Sequence, residues 1–120
     1  MNIGDILTLT HTVGAHETAE ILGSGGLPVY STPSMICLME LTAYKLAEGH
    51  GHQTVGTKVN ISHMKASKVG TELKASAEVL EFEGRRILYK VTVADEAGIV
   101  GEGTHERFII DPERFMAKLK

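Results

Sequence analysis

A single cysteine, Cys37, is all this chain holds, which excludes any internal disulfide. Positive charge is also sparse: 12 basic residues stand against 15 acidic ones, for a net charge of −3. There is no basic tail or Lys/Arg stripe of the kind a phosphate backbone requires, so nucleic acid is not an expected partner. Residues 1–10 lack the cationic start and apolar run of a secretory signal. The longest uncharged apolar stretch falls well short of the roughly 20 residues that cross a bilayer, and its pattern breaks at Thr42 and Lys45. The expectation is a soluble protein of the reducing cytoplasm, without a membrane partner. No internal repeat or low-complexity tract is present, and 120 residues suit one domain, 1–120, with a real core and a high ratio of surface to volume.

Charge is absent in another place. Residues 21–44 carry only one formal charge, Glu40, among Met35, Ile36, Leu38, Met39 and Leu41. Removing an ionised carboxylate from water costs several kcal/mol unless it is paired or hydrogen-bonded. Such a residue is either satisfied structurally or held for chemistry.

Patterning sets the elements around it. Residues 5–13 alternate loosely and predict a first strand, and residues 15–22 a short helical turn. Three glycines and a proline in residues 23–28 predict a loop or lid. Thr32 before Pro33 reads as an N-cap followed by proline at the first helical position, where its missing N–H costs nothing. The helix is expected to run to Ala47 or Glu48, with Gly49 and Gly51 ending it. It is apolar almost all round from Met35 to Leu41, and is therefore expected to be wrapped by protein. Residues 53–64, 72–82, 86–95 and 99–110 alternate at period two, with short turns at Glu83-Gly84 and Glu96-Ala97-Gly98. They predict an antiparallel meander, and residues 112–120 a short terminal helix. One long apolar helix followed by four or more antiparallel strands predicts an α+β chain in which a sheet curls around a central helix, the hotdog architecture.

Alternation from Thr57 to His63 puts Thr57, Val59, Ile61 and His63 on the helix-facing side. An imidazole and the Glu40 carboxylate are then expected in one apolar pocket, where His63 could supply a proton or stabilise developing charge. Thr32 stands eight residues before Glu40, at the helix end where free N–H groups and the dipole favour an oxyanion. Each residue also has a plain explanation: Thr32 as a cap, Glu40 as an ion-pair partner across a dimer interface, His63 as a satisfied core histidine. It is their coincidence that favours chemistry. His105 and Arg107 share one face of the last strand, where Arg107 could hold a carboxylate or phosphate, or pair with a glutamate across the sheet. His50 and His52 sit in a glycine loop without a third ligand in register, so no metal site is expected. Cys37 reads as a small core residue, and the loop at residues 23–26 does not follow a strand in phosphate-binding format.

Thr32-Pro33-Ser34-Met35 leading to Leu38-Met39-Glu40, then Val55-Gly56-Thr57, Ile61-Ser62-His63, Glu83-Gly84-Arg85-Arg86 and above all Gly101-Glu102-Gly103-Thr104-His105-Glu106-Arg107 resemble the hotdog-fold acyl-CoA thioesterases of the fluoroacetyl-CoA thioesterase type. The likeness spans about residues 31–120. It implies a catalytic set of Thr32, Glu40 and His63, with Gly56 contacting the thioester carbonyl. It also implies a homodimer, with a tetramer left open. CoA would be part of the substrate, with no retained cofactor. The specialised fluoroacetyl enzyme uses phenylalanines ahead of the helix as a lid, whereas this chain has Gly23, Gly25, Gly26 and Leu27 there, with Tyr30 the only aromatic. A more open acyl pocket is expected.

The expected activity is hydrolysis of a small or medium acyl-CoA. Glu40 would act as nucleophile or general base, Thr32 as positioning or relay group, and His63 as acid or electrostatic stabiliser. The Gly56 N–H would polarise the carbonyl, and Arg107 would serve in substrate binding. A non-catalytic acyl-CoA-binding or small-ligand module is the alternative from another class. A hydratase on the same architecture would need an Asp/His pair near the helix entrance, and no Asp occurs between Asp5 and Asp95.

Overall fold

A computed structural model describes residues 1–119; Lys120, included in the expected domain and terminal helix, lies outside the described residues. The strands are β1 (Ile6–Thr12), β2 (Thr54–His63), β3 (Glu72–Glu83), β4 (Arg86–Asp95) and β5 (Gly98–Ile109). A 3-10 turn (Ala15–Glu17) and helix α1 (Ala19–Leu22) replace the single helical turn expected over residues 15–22. Helix α2 spans Thr32–Gly49 and α3 Pro112–Ala117. All five strands form one antiparallel sheet in the order β1-β3-β4-β5-β2. The expected meander therefore holds for β3-β4-β5 only. β2 pairs with β5 at the far edge, so the chain crosses the sheet between β2 and β3. Gly84 (φ 58°) and Gly98 (φ 137°) turn the two hairpins with backbone that L side chains rarely adopt.

Period-two alternation builds the inner face: Leu73, Ala75, Ala77 and Val79 of β3 and Ile87, Tyr89, Val91 and Val93 of β4 have no exposed surface. Against them lie Met35, Leu38, Met39, Ala43, Leu46 and Ala47 of α2. The helix comes close enough that a Cβ on Gly101 of β5 would lie 2.5 Å from the Met35 sulfur. This is the hotdog arrangement of a sheet folded on a central helix.

Two expectations about α2 are corrected. The N-cap is Ser31, whose Oγ accepts the Ser34 N–H at 3.1 Å, and Thr32 is already helical. The cap is filled by its neighbour, which frees the Thr32 hydroxyl for another partner. Nor is α2 wrapped all round. Met35, Leu38, Met39, Thr42, Ala43 and Leu46 are buried, but Cys37 is exposed and Leu41 is 44% exposed, so one side of the helix is uncovered by its own chain. Cys37 is accordingly not a core residue.

Candidate active site

Two groups of polar side chains grow from α2. The first sits at its N-terminal end. Thr32 Oγ1 lies 2.7 Å from Nδ1 of His63, the last residue of β2. Nε2 of His63 is buried and has no hydrogen-bond partner among the described residues. Burial holds the imidazole below the ordinary histidine value, against an opposing pull from the Lys65 backbone, so the ring is neutral at pH 7. A cavity of about 290 Å³ opens here, bounded by Ser24, Tyr30, Thr32, His63, Lys65 and Ala66. Lys65 is held by Asp95 at 2.6 Å. Tyr30 forms no lid: it is 1% exposed and its hydroxyl donates to the Ser34 carbonyl at 3.2 Å. Leu27, in the irregular loop at residues 23–28, is 66% exposed.

The second group lies two turns along the helix. Glu40 Oε2 is 3.6 Å from Arg107 Nη1. The Arg107 guanidinium is nearly buried, and burial pulls it below its ordinary value while Glu40 pulls the other way. Its Nε donates to Thr54 Oγ1 at 2.7 Å, its Nη2 to the Thr54 carbonyl at 3.0 Å, and the Tyr44 ring covers it at 5.7 Å. Gly56 borders the same space: a Cβ there would lie 2.9 Å from Glu40 Oε2 and 3.3 Å from Arg107 Nη1. Glu40 is not the dry carboxylate expected from its apolar neighbours, since its side chain is 40% exposed in the chain by itself.

A bulge in β2 aligns the two groups. Gly56 pairs with Arg107 and Lys58 with Glu106, leaving Thr57 as the extra residue. Plain alternation would put Gly56 and His63 on opposite faces. The bulge places Gly56, Val59, Ile61 and His63 on one face, with Thr57 turned out to donate to Glu106 Oε1 at 2.7 Å. The expected face is thus right for Val59, Ile61 and His63 and wrong for Thr57.

Within one chain Thr32 and His63 meet, whereas Glu40 joins Gly56 and Arg107. The groups stand about 12 Å apart along the helix axis, too far for Glu40 and His63 to act on one carbonyl. The single shared pocket expected for Thr32, Glu40 and His63 is therefore not formed by one chain. Thr54 and Tyr44, which hold Arg107, carried no signal in the sequence, because their role depends on the β2–β5 register. His50 and His52 separate, the first 3.7 Å from Asp5 and the second edge-on to Phe82. Among the described residues no cluster of three or more His, Cys, Asp or Glu could hold a metal ion, and no helix is long and apolar enough to cross a membrane.

Comparison with known proteins gives concordant results. The family model described as fluoroacetyl-CoA-specific thioesterase matches residues 13–113. The fluoroacetyl-CoA thioesterase of Streptantibioticus cattleyicolor is 30% identical, over 100% of this chain and 93% of that protein. A crystal structure of a variant fluoroacetyl-CoA-specific thioesterase in complex with fluoroacetate and CoA superposes with a TM-score of 0.90 at 29% identity, covering 96% of this chain and 99% of that one. A thioesterase superfamily member from Thermus thermophilus shares the fold, with a TM-score of 0.87 at 24% identity over 98% of this chain and 89% of the other.

Proposed function

This chain belongs to the fluoroacetyl-CoA-specific thioesterase family and is an acyl-CoA thioesterase, and we propose that Thr32, Glu40 and His63 carry its chemistry in a homodimer. The substrate is a small or medium acyl-CoA, with CoA entering and leaving as part of it and no retained cofactor. The observation that carries the assignment is the 2.7 Å contact of Thr32 with a half-buried imidazole whose second nitrogen is buried and unpartnered among the described residues.

A two-fold axis supplies what one chain lacks. Ile36 lies midway between Thr32 and Glu40 on α2, and the Val59–Asn60 step lies midway between Gly56 and His63 on β2. If two α2 helices pack antiparallel about the first point and two β2 edge strands pair about the second, Thr32 and His63 face the partner's Glu40 and the partner's Gly56. The uncovered surface supports this. Leu41 is 44% and Val59 37% exposed, and β2 is an open sheet edge that a second copy would close.

In such a site Glu40 attacks the thioester carbonyl, directly or through a water it deprotonates. The Gly56 N–H polarises the carbonyl oxygen, Arg107 balances the carboxylate, and the Thr32–His63 pair, its imidazole neutral, positions the thioester and stabilises the charge that develops on it. The C–S bond breaks, the thiolate leaves with CoA, and water supplies the second oxygen of the free acid. A single cysteine with no partner for an internal disulfide fits the reducing cytoplasm. The open loop at residues 23–28 favours acyl groups beyond the fluoroacetyl unit.

A panel of acyl-CoA esters followed by thiol release tests the reading. The parent releases thiol, and Glu40→Gln and His63→Ala each lose about a hundredfold or more in kcat/KM. Thermal stabilisation by the esters without thiol release would identify a binding module instead. Near-parental hydrolysis by both variants would remove these residues from the chemistry.

A further inference from the structure

We propose that His105 is the positioning residue that aims Arg107 at Glu40, an inference that rests on reading Glu40 and Arg107 as parts of the reactive site. His105 is 1% exposed, in β5, with the Tyr89 ring stacked 6.4 Å away at 25°. Its Nδ1 is 2.8 Å from the Lys58 carbonyl. A carbonyl only accepts, so Nδ1 carries the proton. The neutral ring then has a lone pair on Nε2, and Arg107 Nη1 donates to it at 3.1 Å. A protonated ring would set two donors and two cations against each other.

Besides the Tyr44 ring on its face, the other hydrogen-bond anchors of Arg107 are the Thr54 hydroxyl and carbonyl, and both lie on the Nε and Nη2 side of the guanidinium. Among the described residues His105 alone hydrogen-bonds Nη1, the nitrogen facing Glu40 across 3.6 Å. The β2 bulge makes this possible. With Thr57 extruded, Val59 pairs with His105 and the Lys58 carbonyl turns to the imidazole. A Cβ on Gly56 would lie 3.2 Å from His105 Cε1, so the ring also forms part of the wall of the Glu40 space. A planar fork held at three points keeps its charge in one direction, and small misplacements of such groups are costly to rate.

Two substitutions separate positioning from mere support. His105→Asn retains a donor for the Lys58 carbonyl and loses the acceptor for Arg107, whereas His105→Gln places an oxygen near the former Nε2. His105→Asn is expected to lose about tenfold to a hundredfold, chiefly in kcat with KM little moved, and His105→Gln to stay within about threefold of the parent. In an Arg107→Ala background the two should be indistinguishable. Equal activity of both in the parental background, or additive losses on top of Arg107→Ala, would overturn the proposal. If Arg107→Ala and Glu40→Gln hydrolyse normally, the reading of the site fails instead. Nitrogen NMR of the folded parent gives an answer even if a variant does not fold: Nε2 should be an unprotonated acceptor near neutral pH, and a proton on it would contradict the proposal.

Discussion

Thr32 Oγ1 and His63 Nδ1 lie 2.7 Å apart, joining the first turn of the central helix to the end of an edge strand. The Thr32 hydroxyl is free for this contact, since Ser31, one residue earlier, caps the helix. Thr32→Ala should therefore lower kcat/KM by about a hundredfold or more, with Thr32→Ser recovering most of it, in a thiol-release assay. Equal activity of the alanine and serine variants would remove the hydroxyl from the mechanism.

The same assignment predicts a stability contrast. Ser31→Ala should cost about 1 kcal/mol in denaturant unfolding, because the Ser34 N–H loses its partner. Thr32→Ala should cost less than half of that. Reversed costs would restore Thr32 as the cap.

Burial holds the rings of both His63 and His105 below the ordinary histidine value. The unfolded chain takes up these protons near pH 6.5 and the folded chain only at lower pH. The stability they contribute is complete above about pH 6.5 and is lost as pH falls through the folded values. Hydrolysis should show its acid limb below pH 6.5, in kcat/KM measured from pH 5 to 8, and His63→Ala should abolish that limb. An acid limb centred above 6.5 would contradict a neutral working imidazole.

Gly56→Ala separates space from backbone strain. Gly56 is not among the glycines with positive φ, and the atom its Cβ would meet first is the mobile end of Glu40, at 2.9 Å. Activity should fall by about tenfold or more while the unfolding midpoint changes little. A parallel loss of both would mark Gly56 as a folding residue only.

Much of this arrangement was legible in residue patterns. The period-two runs located β3, β4 and β5 within one or two residues, because one face of each packs against α2 and the other meets solvent. The place of β2 at the far edge was not legible, since pairing across the sheet leaves no local mark. The Thr57 bulge was equally hidden: threonine is an ordinary strand residue, and only the register with Lys58 and Glu106 reveals the extra position. Ser31 and Thr32 are both good caps, and Pro33 is tolerated throughout the first turn, so the cap was ambiguous by one residue. The exposure of Glu40 is hidden in the sequence for a deeper reason. Its apolar neighbours Cys37 and Leu41 face outward, and a sequence does not distinguish apolar surface covered by its own chain from surface covered by another.

The most direct measurement is a heterodimer of Glu40→Gln and His63→Ala protomers, each carrying a different affinity tag and purified through both. If each site draws Thr32 and His63 from one protomer and Glu40 from the other, one of the two sites is intact. The heterodimer should then regain about half the parental hydrolysis, although either homodimer is nearly inactive. A heterodimer as inactive as its parents, or a protein that never dimerises, would contradict the shared site.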